Sequence, residues 1–205
     1  MIDSYRTISK PGKSLYKVKG SKHFGYAFSA NDEDAVNVHL EEVKKEQHAA
    51  RHVCYAWRLG PEKDRFRAND DGEPSNSAGM PILGQIEKYD LTDVLVAVVR
   101  YFGGTKLGVG GLIDAYRTAA QEAIENATIQ VLHITARFRL HFEYDRMGDV
   151  MLVLRTRDWE ASDQSFVESC KLTVSLPPEK EEELYAVFAG FADIRIEPLG
   201  TDYEL

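Results

Sequence analysis

The stretch from Val94 to Leu112 constrains this chain most, because an unbroken apolar run meets a string of glycines and then an amphipathic segment. Val94 to Phe102 (VLVAVVRYF) shows no polar alternation, so it reads as a strand buried on both faces. Gly103 to Gly111 then forms a loop that leads directly into a helix, where Leu112, Ala115, Tyr116, Ala119, Ala123 and Ala127 recur on one face. Glycines between a buried strand and a helix let backbone N–H groups approach an anion at the positive helix end. Lys106 adds a point charge there. The candidate anion-binding residues are Arg100, Gly103, Gly104, Lys106, Gly108, Gly110, Gly111 and Arg117. Neither the Walker A register nor the dinucleotide-binding glycine spacing is met, so a standard nucleotide-hydrolysing loop is not expected. The same glycines are also explained by positive φ and close helix–strand packing, and both explanations stand at this point.

Upstream, Leu15 to Gly20 and His23 to Ala30 read as strands around a turn, and Asn31 is the expected cap of a helix. Asp32, Glu33 and Asp34 open that helix, Lys44, Lys45 and His48 close it, and Val36, Leu40 and Val43 form its buried stripe. His52 to Leu59 reads as another strand. Gly60 to Gly79 has the composition of a structured loop, centred on Asp70-Asp71-Gly72-Glu73-Pro74-Ser75-Asn76-Ser77. Asp70, Asp71 and Glu73 have the chemistry of an acid–base or magnesium site, and a hydrolase built on them is one reading of the chain. Turn capping is the other, and it is favoured because no activated nucleophile accompanies them. His52 and Ser77 complete the candidates from this region. His48, His52 and Cys54 lack a fourth partner for a structural zinc, so no metal and no cofactor are expected.

A different rhythm begins near Thr128 to His133. Ile134, Ala136, Phe138, Leu140, Phe142 and Tyr144 alternate strictly with polar residues, as in a half-buried strand. Asp145 is the expected cap of the next helix, strands flank Ser169, Pro177-Pro178 opens a second helix, and Ile194 to Leu199 closes the chain as a strand. That order, βαββαβ, is the split βαβ, ferredoxin-like unit. The expected domains are therefore residues 1–129 and 130–205, with an α+β fold throughout. Net charge is −1 over the first and −7 over the second. Neither is a generic basic nucleic-acid binder, so any RNA contact must use a local basic face of the first domain. No eighteen-residue apolar segment and no secretory leader are evident, and the two cysteines, Cys54 and Cys170, lie far apart. A reducing cytoplasm is the expected compartment.

Three motifs together resemble the IMPACT/YigZ family. They are Arg51-His52-Val53-Cys54-Tyr55-Ala56, the acidic loop with Ala78-Gly79-Met80-Pro81-Ile82-Leu83, and Arg100 to Leu112 with Ala115-Tyr116. The resemblance covers the whole chain. It implies a two-layer N-terminal α/β domain like the second domain of small ribosomal subunit protein five. It also implies a C-terminal domain like the last, ferredoxin-like domain of elongation factor G. Eukaryotic members bind a ribosome-associated activator of a stress kinase, so a translation-associated regulatory or binding protein is implied. Its partner would be the ribosome, a ribosome-associated protein or RNA, and an adaptor that touches no RNA is a further reading. This chain departs from the family pattern at Ser75-Asn76-Ser77, where Ser-Gly-Thr is common, and at Asp114, where Arg is common. Asn accepts left-handed backbone well, which preserves the loop. Asp114 reverses a charge beside Arg117 and argues against an RNA surface at that point.

Overall fold

The computed structural model describes residues 2–166 and 169–204. The chain divides into two compact units, residues 5–131 and residues 132–204, the latter joined by residues 2–4. The first unit is built on a sheet of strands β2 (Gly12–Val18), β3 (Ser21–Ser29), β4 (His52–Leu59), β5 (Arg65–Asn69) and β6 (Val94–Tyr101), in the order β2-β3-β6-β4-β5. All neighbours in it are antiparallel. β6 lies at the centre, and its side chains divide evenly between two cores. Val94, Val96 and Val98 pack with Ala27, Cys54 and Ala56 against helices α2 (Gly79–Lys88) and α3 (Gly108–Glu125). Leu95, Ala97 and Val99 pack with Tyr26, Phe28 and Trp57 against α1 (Glu33–Glu46), through Val36, Leu40 and Val43. Helices thus cover both faces, one layer more than the resemblance implied, as a central strand apolar on both sides requires.

Several local expectations are corrected. Asp32, not Asn31, caps α1, its carboxylate accepting from the Ala35 N–H at 2.7 Å. The segment read as an unbroken loop from Gly60 to Gly79 contains β5, whose register on β4 pairs Arg65 with Leu59 and Asn69 with Tyr55. The polar start of the chain contains a strand, β1 (Ser4–Lys10), whose Tyr5 and Ile8 are buried. Thr7 within it donates from its hydroxyl to the Asp93 carbonyl at 3.1 Å.

In the second unit, β7 (Thr128–Phe142), α4 (Met147–Thr156), β8 (Ala161–Ser165), β9 (Cys170–Leu176), α5 (Glu181–Phe188) and β10 (Arg195–Glu204) follow in order. β10 and β9 flank β7, and β8 lies outside β9, all antiparallel. That is the strand order of the split βαβ unit. Phe138, Leu140, Leu172 and Val174 meet Val150, Leu154, Leu184 and Phe188 in its core. β7 begins at Thr128 rather than Ile134, so the expected 129/130 division falls inside a strand. Residues 2–4 join this unit because the Asp3 carbonyl accepts from the Ile134 N–H at 2.8 Å. Asp145 does not cap α4; a single 3-10 turn, Tyr144–Arg146, leads into it without a side-chain cap. Likewise Pro178 opens a 3-10 turn, and α5 begins only at Glu181.

Candidate functional site

The register of the first sheet places three polar side chains in one row. His23 of β3 and His52 of β4 both oppose Arg100 of β6, on the face that carries α3. Sequence alone supplies none of this, because it depends on strands 48 residues or more apart becoming neighbours of one central strand. Arg100 donates to the Glu73 carboxylate at 2.6 Å, with their side chains 10% and 5% exposed. The Tyr116 hydroxyl donates to the same Glu73 oxygen at 3.0 Å. Burial, with nearby Cys54 and Glu73, holds the Tyr116 phenol well above its usual range. His23 is fully buried with its ring edge-on to Tyr116 at 5.3 Å, and neither ring nitrogen has a partner among the described residues. Burial first and the Arg100 charge second lower its pKa to about 4, against an opposing pull from Glu73, so the ring is neutral at physiological pH. Sequence reasoning missed His23 and Tyr116 as members of a polar cluster, since both stand in apolar patterns.

The acidic loop is largely spent on backbone. Asp70 accepts from the Asn76, Ala78 and Gly79 N–H groups at 2.8–2.9 Å, which caps the start of α2 from a distance in sequence. Asp71 accepts from the Val53 N–H at 2.6 Å, and its carbonyl takes a hydrogen bond from His52 Nδ1 at 2.7 Å. Ser77 is buried and donates to the Pro74 carbonyl at 2.5 Å. Cys54 Sγ donates to the Asp70 carbonyl at 3.0 Å, and burial pushes its thiol up to about 12. It therefore carries no thiolate near neutral pH. Among the described residues no cluster of acidic, His or Cys side chains is arranged to hold a metal ion.

The glycine loop is arranged in the opposite way. Its root is fixed: Gly103 N–H donates to Ser21 Oγ at 3.1 Å, and a Cβ on Gly103 would fall 1.9 Å from the carbonyl carbon of Gly20. Gly108 has φ +74°, which a residue with a side chain adopts only under strain, and it opens α3 without a side-chain cap. Beside it lies a pocket of about 720 Å³, lined by Arg51, His52, Glu73, Arg100, Phe102, Lys106, Leu107, Gly108, Val109 and Leu112, with Ala49, Pro74 and Tyr101. Within it Arg100 and Glu73 neutralise each other. Arg51 and Lys106 have no ion pair or side-chain hydrogen bond among the described residues, so the pocket is net cationic in a protein of net charge −8. Phe102 is 60% exposed with the Arg100 guanidinium 5.6 Å from its ring centre. Tyr101, by contrast, is held on the α1 side by its hydrogen bond to Gln47 at 2.9 Å and its edge contact with Phe24.

Of the sequence-derived candidates, the pocket gathers His52, Glu73, Arg100, Lys106 and Gly108. Asp70, Asp71 and Ser77 stand behind it as supports, while Gly103, Gly104, Gly110 and Gly111 do not line it. Arg117 is also absent from it and pairs with Asp114 at 2.8 Å on the exposed face of α3. Arg51, Val109 and Leu107 were missed. Arg51 carries a sequence signal, as the residue that opens the Arg-His-Val-Cys motif; the apolar pair carries none.

The fold and pocket define an α+β protein of two compact units whose first unit presents a half-apolar, cationic cleft. The Impact N-terminal domain matches residues 19–124, about half of the chain. The chain is 37% identical to the IMPACT family member in the pol 5′ region of Thermus thermophilus, over 80% of this chain and 88% of that protein. It is 29% identical to the IMPACT family member YigZ of Escherichia coli, over 93% of this chain and 95% of that protein. A crystal structure of a hypothetical protein superposes with TM-score 0.69 at 28% identity, over 96% of this chain and 97% of the other. The chain belongs to the IMPACT family.

Proposed function

We propose that this protein is a translation-associated regulatory binding protein of the cytoplasm, and that its pocket at the start of α3 contacts RNA phosphate on the ribosome. The observation that carries this reading is the pair of unpartnered cations, Arg51 and Lys106, at a helix start inside an otherwise acidic molecule. Phe102, exposed beside them, offers a face on which a base stacks. Arg117 is not part of this surface, because Asp114 occupies it. The carboxylates of the acidic loop serve the same surface indirectly: Asp71 anchors the strand and ring of His52, and Glu73 neutralises Arg100.

The overall field of an acidic protein repels RNA, so binding depends on short-range contacts. Two phosphate contacts give a log–log salt slope of about −1.4 on the single-strand scale. The test is co-sedimentation with ribosomes over a salt series. Lys106→Ala is expected to weaken binding and to halve the slope to about −0.7. Salt-insensitive sedimentation, equal for wild type and variant, would replace this reading with a protein–protein adaptor.

A further inference from the structure

The pocket is larger than a phosphate contact requires, and its lining is of two kinds. Arg51 and Lys106 supply charge, and the exposed ring of Phe102, with Leu107 and Val109 at the start of α3, supplies apolar surface. A volume of about 720 Å³ lies within the range of small-molecule and cofactor sites. His52 adds a directional group: its Nδ1–H is committed to the Asp71 carbonyl, which in that tautomer leaves Nε2 as an acceptor. Two cationic side chains, a flat aromatic surface and one hydrogen-bond acceptor match the three parts of a nucleotide.

We infer that this pocket holds one nucleotide unit, with its phosphate between Lys106, Arg51 and the start of α3 and its base on Phe102. The inference rests on the reading of this pocket as a phosphate-binding surface, and it adds the base as a second determinant. The unit comes either from a free nucleoside monophosphate or from the 5′-phosphorylated end of a single strand. Both present the same chemistry.

The experiment is equilibrium titration of the full chain with adenosine 5′-monophosphate, adenosine and inorganic phosphate. Two single-stranded tetranucleotides, with and without a 5′-phosphate, complete the set. The monophosphate is expected to bind at least tenfold more tightly than adenosine or inorganic phosphate, since each of these lacks one determinant. Phe102→Ala should weaken the monophosphate by about tenfold, the scale of one lost base stack, and leave inorganic phosphate unchanged. Lys106→Ala should weaken both. The ratio between the two tetranucleotides identifies the source: preference for the phosphorylated one assigns a strand end, and no preference beside a tight monophosphate assigns the free nucleotide. Inorganic phosphate binding as tightly as the monophosphate would overturn the inference, as would Phe102→Ala without effect. Either result beside Lys106-dependent ribosome binding removes the base-binding claim alone. Loss of both removes the phosphate surface itself.

Discussion

The acidic loop around residues 69–79 and the glycine loop around residues 102–112 border the same pocket, yet they treat their polar groups in opposite ways. In the first, Asp70, Asp71 and Ser77 all bond to backbone groups of the same unit. In the second, Lys106 has no partner among the described residues, and the helix that follows opens without a side-chain cap. Saturated polar groups stabilise a loop and leave nothing for a ligand; open ones do the reverse. The richest cluster of carboxylates in the motif is therefore scaffold, and the loop with one lysine is the surface proposed to meet a partner.

Four single substitutions and one double variant test that contrast. The largest effect belongs to the buried pair. Arg100→Ala leaves Glu73 charged and enclosed, so a loss of about 3–5 kcal/mol is expected in denaturant unfolding. A double variant, Arg100→Met with Glu73→Leu, should recover most of that. If the single variant unfolds like wild type, Glu73 belongs with the open groups and the contrast fails. Next comes His23. Its imidazole titrates near 6.5 when unfolded and near 4 when folded, so the unfolded chain holds more protons between those values. Stability should be level above about pH 6.5 and fall as pH drops to about 4, by on the order of 3 kcal/mol from this group. His23→Phe, which keeps the edge contact with Tyr116, should remove that part of the slope.

Asp70→Ala tests the acidic loop itself. Three backbone N–H groups lose their acceptor, and a loss of about 2 kcal/mol, the upper end for a cap, is the expected outcome in thermal or denaturant unfolding. An unchanged midpoint would mean that Asp70 is free for chemistry, and the hydrolase reading would regain ground. The smallest stability effect is expected for Lys106→Ala, within about 0.5 kcal/mol, as for a surface position without partners. Its effect should appear only in binding. A variant that both unfolds and fails to bind would show the glycine loop to be scaffold as well.

Much of this was legible beforehand. Period-two alternation from Ile134 to Tyr144 announced the second unit, and the unbroken run at Val94 announced a central strand. β5 was not legible, because Arg65-Phe66-Arg67 is an edge strand in which only Phe66 is a strong apolar signal, and that ring is exposed. β1 was hidden for the same reason: a strand with Tyr5 and Ile8 among polar residues looks like a tail. At the site, the motifs named Arg100, His52 and Glu73, but not their relation. That relation comes from sheet register, which aligns His23, Arg100 and His52 across three strands. Asp70 as a remote cap of α2 was likewise out of reach, since its partners lie six to nine residues on across a turn with φ positive at Asp71, Gly72 and Asn76.

The contact between Gly20 and Gly103 divides the glycine loop into two kinds of sequence space. At Gly103 even a methyl group would collide with backbone, which cannot swing aside as a side chain can. In a saturation library that position should be nearly monomorphic among folded members. Gly110, four residues before Asp114, has open space where a Cβ would stand and no positive φ. Many residue types should be accepted there. The loop is thus fixed at its root and permissive further on at Gly110, so that position can change without disturbing the joint that holds it.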